Sequence, residues 1–432
     1  MLEKYFEFAE LGTNWKQEIG AGVATFVTMA YIIFVNPSIL HEAGVPIEGA
    51  TAATCIAAGF ASILMGVFAR YPIALAPGMG LNAYFTYTVV KGMHVPWQTA
   101  LGAVFLSGLI FLALTATGIR QKIVEAIPRE LYCSVAVGIG LFIAFLGMRS
   151  AGIIVPNPAT AVSLGNLHDP KTILSLGALA AMAILYTRGT PGAILLGILG
   201  STAVAAATGM LNTTLHGFDI ARLGDTAFQL DIRGAMGLGI LEIVFVFFFV
   251  DLFDNLGTLV AVTKRAGLLD GEGRIPRLGR ILTVDAIATV VGSLAGTSTV
   301  VSYIESAAGV AAGGRSGITA IVAGLLFFAA IPLAGIVGVI PAAATAPALI
   351  LVGAMMMAHT VEIAWEDPAI AVASFLTIIT IPLSFSIATG LGFGFIAYVL
   401  LMVATGRGKQ IHWLLYLLTL ISVFRFAYLN RD

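Results

Sequence analysis

Long apolar stretches separated by short polar or Gly/Pro-rich breaks follow one another along almost the whole chain. A helix that crosses a bilayer needs about 20 mostly apolar residues, and several stretches reach that length. Spanning strands would alternate apolar and polar residues, which these stretches do not. The pattern therefore predicts an all-α polytopic membrane protein with about fourteen segments. We number them one to fourteen, at residues 16–40, 50–69, 78–90, 97–118, 131–148, 172–187, 191–208, 238–263, 281–296, 305–313, 316–335, 343–359, 368–384 and 386–405.

Composition supports a membrane location and excludes other classes of protein. Of 432 residues, 59% are apolar and 10% are charged, too few charges to cover a water-facing globule of this size. The net charge of −1, with the cations between segments, argues against a nucleic-acid partner. Residues 1–11 lack the apolar run of a cleaved signal peptide, so we expect the first segment to direct insertion. Cys55 and Cys133 lie in apolar runs, and we expect them to be buried without chemistry.

Charge asymmetry orients the segments. With the N-terminus in the cytoplasm, thirteen cations lie inside and five outside, the bias that membrane proteins show. The inner cations are Arg70, Arg120, Lys122, Arg129, Arg188, Lys264, Arg265, Arg274, Arg277, Arg280, Arg315, Arg407 and Lys409, and the outer ones are Lys91, Arg149, Lys171, Arg222 and Arg233. We predict a multi-pass protein of the cell (inner) membrane with a cytoplasmic N-terminus. The C-terminal stretch 411–429 contains Arg425 and fits either an interfacial helix or a further span.

Two pairs of similar sequences indicate an internal repeat. IPRELYCSVAVG at 127–138 resembles IPAAATAPALILVG at 340–353, and each opens a helix after Ile-Pro. GVFARYP and APGMGLN, which begin at Gly66 and Ala76, resemble GSLAGTS and YIESAAG, which begin at Gly292 and Tyr303. Seven segments per half is an odd number, so the two copies must be inverted relative to each other. The alternative is chance similarity between helices rich in Gly and Ala.

Segments three and ten are short, and each follows an extended stretch, at 71–78 and 297–304. Non-helical backbone at membrane depth is stable only where protein or a water-filled cavity satisfies its polar groups. Paired breaks at matching positions therefore predict a central binding site. The half-helix starts would offer the backbone amides of Gly78, Gly80 and Ser306 to a ligand.

Polar side chains gather at the same depth. Asn82 lies just inside segment three and Glu305 at the start of segment ten, while Asp251 and Asp254 share one face of segment eight. Ionisable groups at this depth are costly, and they indicate a substrate or proton site. We expect at least one of the three carboxylates to load and release a proton in each transport cycle. The alternative for any one of them is a structural tie between segment eight and a neighbouring break.

Other classes of protein fit these residues less well. An intramembrane hydrolase with two aspartates would need both inside segments, but Asp225 of the LGD sequence lies in a polar loop. A channel would need a charged ring along a continuous pore. An anion exchanger with the same inverted fold would need a cation or bare helix ends where carboxylates stand. The histidines lack metal-ligand spacing, so we expect no metal and no cofactor.

Four places resemble the AzgA-like purine permeases of the nucleobase:cation symporter (xanthine/uracil permease) family. They are GTNWKQEIGAGVATFVTMAYIIFVNP at 12–37, ALAPGMGLNAYF at 74–85, VDLFDNLGTL at 250–259, and GTSTVVSYIESAAGV at 296–310 with GGRSG at 313–317. The resemblance extends to about residue 405. It implies proton-coupled uptake of a purine nucleobase by rigid movement of a core domain against a gate domain, with no enzymatic activity, in a protein that forms a homodimer.

The resemblance also implies domain boundaries and residue roles. The core would comprise 1–118 and 237–335, the gate 119–236 and 336–410, with 411–432 as a C-terminal apolar helix. Position by position, Asn82, Asp251 and Glu305 match purine contacts, Asp254 matches an acidic residue important for transport, and Glu305 or Asp254 would couple the proton. Because an ionised Asp251 accepts hydrogen bonds, guanine and hypoxanthine, which carry an N1–H, are favoured slightly over adenine.

Overall fold

The computed structural model describes residues 1–118, 123, 127–211, 219–237, 240–271 and 274–428. Within these ranges, the side chains at 220, 240–242, 245, 253, 254, 256, 257 and 428 lie outside the description. The first half contains α1 (Leu2–Tyr5), α2 (Phe8–Leu11), α3 (Trp15–Met29), α4 (Ile32–His41), α5 (Ile47–Leu64), β1 (Leu75–Pro77), α6 (Met79–Ala83), α7 (Trp97–Ala116), α8 (Arg129–Ser150), β2 (Ile154–Asn157), β3 (Ala161–Leu164), α9 (Pro170–Thr187) and α10 (Ala193–Ala207). π-Helical turns extend α5 over Met65–Ala69 and α6 over Tyr84–Gly92.

The second half follows two 3-10 turns, Ile220–Asp225 and Gly234–Met236. It contains α11 (Ile240–Ala266), α12 (Leu278–Ala295), β4 (Val300–Ser302), α13 (Ser306–Ala311), α14 (Gly317–Ala329), α15 (Ala334–Val337), α16 (Ala342–Met356), α17 (Pro368–Ser384), α18 (Ile387–Ala404) and α19 (Trp413–Tyr428). Further 3-10 turns lie at Ile331–Leu333, Met357–Glu362 and Gly408–Gln410.

Each predicted segment coincides with a helix or a pair of helices in the described part of the chain. Eight of the described helical stretches are long and apolar enough to cross a membrane, or nine if the bent pair Gly317–Ala329 and Ile331–Val337 forms one span. The prediction of a helical polytopic membrane protein is therefore confirmed. Segment one differs in one respect, because Ala30 and Tyr31 form a short break between α3 and α4 within a single apolar span, Trp15–His41.

The first amides of a helix have no acceptor within it, and several helices begin at a proline, which lacks the amide N–H, or at a side chain that accepts from such an amide. Pro128 and Pro341 directly precede α8 and α16, as the two Ile-Pro pairs predicted. Proline fits there because its missing N–H would have had no acceptor within the helix. At α3, the side chain of Asn14 accepts a hydrogen bond from the amide of Gln17 at 3.0 Å.

The extended stretches of segments three and ten pair with each other. β1 and β4 are antiparallel, with Leu75 opposite Ser302 and Pro77 opposite Val300. Because α6 follows β1 and α13 follows β4, the two short helices continue from the strand pair in opposite directions. This is the arrangement expected for two repeats inverted relative to each other.

Corresponding hydrogen bonds support the two strands. The hydroxyl of Ser62 in α5 donates to the carbonyl of Leu75 at 3.1 Å and accepts from its amide at 2.9 Å. The hydroxyl of Thr289 in α12 donates to the carbonyl of Val300 at 3.4 Å. Leu75 and Val300 each begin their strand. The second segment of each repeat thus supports the strand of the same repeat.

Helices pack most extensively within two groups. The first contains α3, α4, α5, α7 and α11–α14, which surround the paired strands. The second contains α8, α9, α10 and α16–α18. The first group consists of the helices of segments one, two, four and eight to eleven, and the second of the helices of segments five to seven and twelve to fourteen. The short helix of segment three, α6, contacts α4 and α11 of the first group and α8 of the second.

Two peripheral elements complete the described chain. β2 and β3 form an antiparallel hairpin between α8 and α9, which the sequence pattern did not predict because strands of four residues carry little periodicity. α19 packs against α18, where the hydroxyl of Thr419 donates to the carbonyl of Phe395 at 3.3 Å. Its 16 described residues are fewer than a perpendicular crossing of the bilayer requires.

Candidate substrate site

The paired strands carry their backbone polar groups into the protein interior without leaving them exposed to lipid. The amide of Gly78 donates to the carbonyl of Thr299 at 2.9 Å, and the amide of Tyr303 donates to the carbonyl of Ala74 at 3.0 Å. The hydroxyl of Tyr303 donates to the carbonyl of Pro77 at 2.5 Å. The crossing of the two broken segments is therefore a hydrogen-bonded unit that can hold a site at membrane depth.

A cavity of about 380 Å³ lies beside this crossing, between the two groups of helices. This volume is within the range of small-molecule sites in proteins. Its lining residues on the crossing side are Tyr31, Gly78, Met79, Gly80, Val301, Ser302, Tyr303, Ile304 and Glu305. Its opposite wall is mainly apolar and includes Ala136, Ile143, Val352, Met355 and Met356. A flat, partly apolar solute with polar edges matches this lining.

Glu305 is the predicted residue that lies directly in this cavity wall. It occupies the N-cap of α13, and 6% of its surface is exposed. Its Oε1 accepts a hydrogen bond from the hydroxyl of Tyr31 at 2.5 Å. Tyr31 stands at the break between α3 and α4, so segment one places a donor against the carboxylate of segment ten. The sequence did not single out Tyr31, since an isolated tyrosine in an apolar run resembles any buried aromatic residue.

Asp251 lies near the cavity, although it is not among the described lining residues. It is fully buried in α11, and α11 packs against both β4 and α13. Thr258, Ala261 and Arg265 of the same helix line the cavity. Thr258 follows Asp251 by seven residues, which places both on one face of the helix, about 10 Å apart along its axis. Asp254 belongs to the same helix, but its side chain lies outside the described part of the structure.

Asn82 lies just inside segment three, as the sequence predicted, but it is not among the described residues that line the cavity. It is fully buried in α6. Its Nδ2 donates to Oδ1 of Asn36, and its Oδ1 accepts from the hydroxyl of Ser298. Asn82 therefore lies within a buried set of polar side chains behind the strands.

Two of the three predicted amide donors are already bonded to backbone. The amide of Gly78 donates to Thr299, as described above, and the amide of Ser306 donates to the carbonyl of Tyr303 at 3.1 Å. The sequence did not reveal that the strands and the turn before α13 would engage these amides. Gly80 lines the cavity in the first turn of α6, where an amide has no acceptor within its own helix.

The cavity extends from Glu305 toward one end of the molecule. Arg265, His359 and Glu362 lie along this path, at the end that the charge distribution predicts to be cytoplasmic. Glu362 also forms an ion pair with Arg129 at the start of α8. Arg265, His359 and Glu362 thus lie toward this end of the cavity, whereas Glu305 lies at the crossing.

The opposite end is closed by contacts between the two groups of helices. The hydroxyl of Thr88 donates to the carbonyl of Phe385, whose ring meets those of Phe142 and Phe145 edge-on with centroid distances of 5.6 and 5.4 Å. A separate cavity of about 410 Å³ lies beyond and is lined by Leu146 of α8. Ile143, one helical turn earlier, lines the central cavity, so a thin barrier separates the two spaces.

No described group of three or more His, Cys, Asp or Glu side chains is arranged to hold a metal ion. Cys55 and Cys133 are both buried as free cysteines.

A crossing of two broken helices, inverted repeats and a partly polar cavity at membrane depth together define a polytopic membrane transporter. The sequence profile of the Permease family (Xan_ur_permease) matches residues 16–393. The chain belongs to this family, which confirms the expected resemblance.

Curated relatives match over almost their whole length. A putative permease of Methanocaldococcus jannaschii is 52% identical, with 99% of each chain covered. The guanine/hypoxanthine permease PbuG of Bacillus subtilis is 43% identical, with 99% of this chain and 100% of the relative covered. The adenine permease AdeP of Escherichia coli is 40% identical, with 100% and 97% covered.

Among solved structures, the transmembrane domain of the cyanobacterial bicarbonate transporter BicA is similar in fold, with a TM-score of 0.66. The match covers 88% of this chain and 96% of that domain at 17% sequence identity. It confirms the inverted-repeat transporter fold.

Proposed function

We propose that this protein takes up purine nucleobases by proton symport, with a core domain that moves against a gate domain. The observation that carries the proposal is the placement of Glu305, a nearly buried carboxylate at the crossing of two broken segments and in the wall of a cavity sized for a small molecule. Relatives named as purine permeases at 40% and 43% identity support the choice of solute.

The cavity chemistry suits a purine. Its ring N–H and amino groups are donors that need acceptors, and Glu305 supplies two carboxylate oxygens. A ring nitrogen or carbonyl of the purine needs a donor, for which the amide of Gly80 is available. Ile143, Val352 and Met355 provide apolar surface for the flat faces of the base.

Asp251 is proposed as a second acceptor, deeper along α11. If it is ionised, it favours guanine and hypoxanthine, because their N1–H donates where adenine has a bare nitrogen. The names of the relatives include both guanine/hypoxanthine and adenine permeases, so they support a purine without deciding between these bases.

The proton is assigned to Glu305 or Asp254. A carboxylate at membrane depth costs free energy, so such residues are usually present because function requires them. Proton relays in transporters use residues of this kind. A proton on Glu305 would give it one O–H donor and leave its other oxygen as an acceptor toward the base, which links loading of the proton to binding of the solute.

The two packing groups support the proposed domains. The core would comprise 1–118 and 237–335, and the gate 119–236 and 336–410, with the cavity between them. In the present conformation, the cavity extends to Arg265 and Glu362, while Thr88 and Phe385 close the opposite end. With a cytoplasmic N-terminus, the protein would be open to the inside.

Uptake into proteoliposomes tests this proposal. Labelled hypoxanthine should accumulate against its gradient when the lumen is more alkaline than the medium, and unlabelled guanine should compete. A protonophore should abolish accumulation, and Glu305→Gln should abolish transport while the protein remains folded. Glu10→Gln, at an exposed carboxylate, is the matched control and should transport normally.

Three outcomes would change the proposal in different ways. Accumulation that survives the protonophore would exclude proton coupling. Competition by uracil or xanthine but by no other base would assign a different nucleobase. Uptake of bicarbonate with no response to any nucleobase would mean that the transported solute resembles that of BicA, which shares the fold, rather than those of the family relatives.

A further inference from the structure

Five buried polar side chains form a continuous hydrogen-bonded cluster behind the strand pair, which we call the asparagine network. Nδ2 of Asn36 donates to the hydroxyl of Thr54 at 2.7 Å and to that of Thr297 at 3.0 Å. Asn82 donates to Asn36 and accepts from Ser298. All five residues are fully buried.

The network joins four separate segments of the chain. Asn36 lies in α4, Thr54 in α5 and Asn82 in α6, while Thr297 and Ser298 precede β4. It therefore connects the first three segments of one repeat with the broken segment of the other. Asn36 has the most bonds, three, and Asn82 provides a second connection to the other repeat because it bonds to both Asn36 and Ser298.

None of the five side chains is among the described residues that line the cavity. A purine would have to break the bonds of Asn82 to Asn36 and Ser298 before it could contact the amide group. Such a break is unfavourable, because buried donors and acceptors without partners carry the full cost of desolvation. The cavity is instead lined by the backbone at Gly78 and Gly80, a few residues before Asn82, and at Tyr303 to Glu305, a few residues after Ser298.

We propose that Asn82 is a positioning residue, which holds the two broken segments in register through the asparagine network and does not contact the solute. This inference rests on the proposed function, and it departs from the purine contact that the family resemblance implies for Asn82. A network in which every member is satisfied specifies one arrangement of the backbone, so loss of one member loosens Gly80 and Glu305 together.

A contact and a positioning role predict different specificity. If Asn82 holds the crossing, its loss lowers the affinity for every purine by a common factor. If Asn82 bonds to one edge of the base, its loss lowers the affinity only for those purines that carry the matching group, by about tenfold or more. Variants of Asn36 and Ser298 distinguish further between the two roles of Asn82. Neither residue is among the described residues that line the cavity, and only the positioning role requires them.

The experiment measures inhibition of labelled hypoxanthine uptake by guanine, adenine and unsubstituted purine in Asn82→Ala, Asn36→Ala and Ser298→Ala. We expect all three variants to raise the inhibition constants, with ratios between purines within about twofold of wild type. Ser298→Ala removes one hydroxyl and serves if the asparagine variants do not fold. Ser201→Ala, at a buried serine of α10, is the matched control and should behave like wild type.

The inference would be overturned if Asn82→Ala raised the inhibition constant of some purines only, while Asn36→Ala and Ser298→Ala kept the wild-type ratios between purines. Asn82 would then be a contact of the base. Thermal unfolding in detergent provides a test that needs no substrate. Asn36→Ala and Asn82→Ala should lower the melting temperature non-additively, because the first change already disrupts the network. Strict additivity would also contradict the inference. Absence of purine transport by the wild type would instead refute the proposed function.

Discussion

Gly140 in α8 and Gly353 in α16 pack against each other at equal distances from Ile127 and Ile340, the residues that open the two repeated Ile-Pro sequences. A Cβ on Gly353 would lie 2.4 Å from the carbonyl oxygen of Gly140, and a Cβ on Gly140 would lie 2.9 Å from the carbonyl oxygen of Gly353. Contact between equivalent positions is what a two-fold relation between the repeats requires. The two helices can approach this closely only because neither residue has a side chain.

Gly353→Ala should therefore destabilise the protein. The added methyl group must separate α8 from α16, because the atom that it meets belongs to backbone, and overpacking of this kind costs about 1–3 kcal/mol. The melting temperature in detergent should fall. Gly200→Ala is the matched control, because Gly200 also lies in a helix and an added Cβ there meets nothing within 4 Å. Equal stability of the two variants would contradict the tight contact.

Tyr31→Phe should weaken purine transport while leaving the fold intact. The change removes the donor that contacts Glu305 at 2.5 Å, and hydrogen bonds to charged groups are worth about 1.5–3 kcal/mol. We expect the half-saturation concentration for hypoxanthine to rise by about tenfold or more. Initial uptake rates across a range of concentrations measure it.

Tyr416→Phe is the control for Tyr31→Phe. Tyr416 lies in α19, is not among the described residues that line the cavity, and donates its hydroxyl to the carbonyl of Gly408 at 3.0 Å. It should transport like wild type. A wild-type half-saturation concentration in Tyr31→Phe would mean that the hydroxyl does not act through the carboxylate during transport.

The sequence predicted the elements of the site better than their contacts. The segments, the paired breaks and the position of Glu305 could be predicted, because helix length, β-branched runs and buried charge are local signals. The bond between Tyr31 and Glu305 joins residues 274 positions apart, and that between Asn36 and Thr297 joins residues 261 apart. No local pattern encodes such a partner, so the sequence could not identify Tyr31 as the partner of Glu305 or Asn36 as the partner of Thr297.

Glu18 illustrates the same limit. It lies near the start of segment one, is fully buried and fixes the loop before α14. Its carboxylate accepts from the hydroxyl of Thr319 at 2.6 Å and from the amides of Arg315 and Ser316 at 2.9 and 3.0 Å. Asp231 repeats the arrangement in the other half, where it accepts from the hydroxyl of Thr99 at 3.2 Å.

Glu18→Ala should be more destabilising than Asp231→Ala. Loss of Glu18 leaves several buried donors without an acceptor, each at a cost of about 1–3 kcal/mol, whereas water can replace the carboxylate of the exposed Asp231. Melting temperatures in detergent provide the comparison, with Glu10→Ala as a control at an exposed carboxylate. A larger fall in melting temperature for Asp231→Ala would show that burial does not determine the cost of removing the carboxylate.

Asp367 and Arg407 should make stability depend on pH where α17 begins and α18 ends. Arg407 hydrogen-bonds to both carboxylate oxygens of Asp367, which caps α17, and this holds the pKa of Asp367 down at about 2. Since the unfolded chain has a pKa of about 3.9, the pair stabilises the fold above that pH and loses its contribution as the pH falls through about 2. Asp367→Asn should therefore melt below wild type at neutral pH, and the difference should shrink between about pH 4 and pH 2.

Arg407→Gln should reproduce this behaviour, while Glu366→Gln controls for the loss of one neighbouring negative charge. A constant difference between wild type and Asp367→Asn across this range would show that the ion pair does not form in the folded protein.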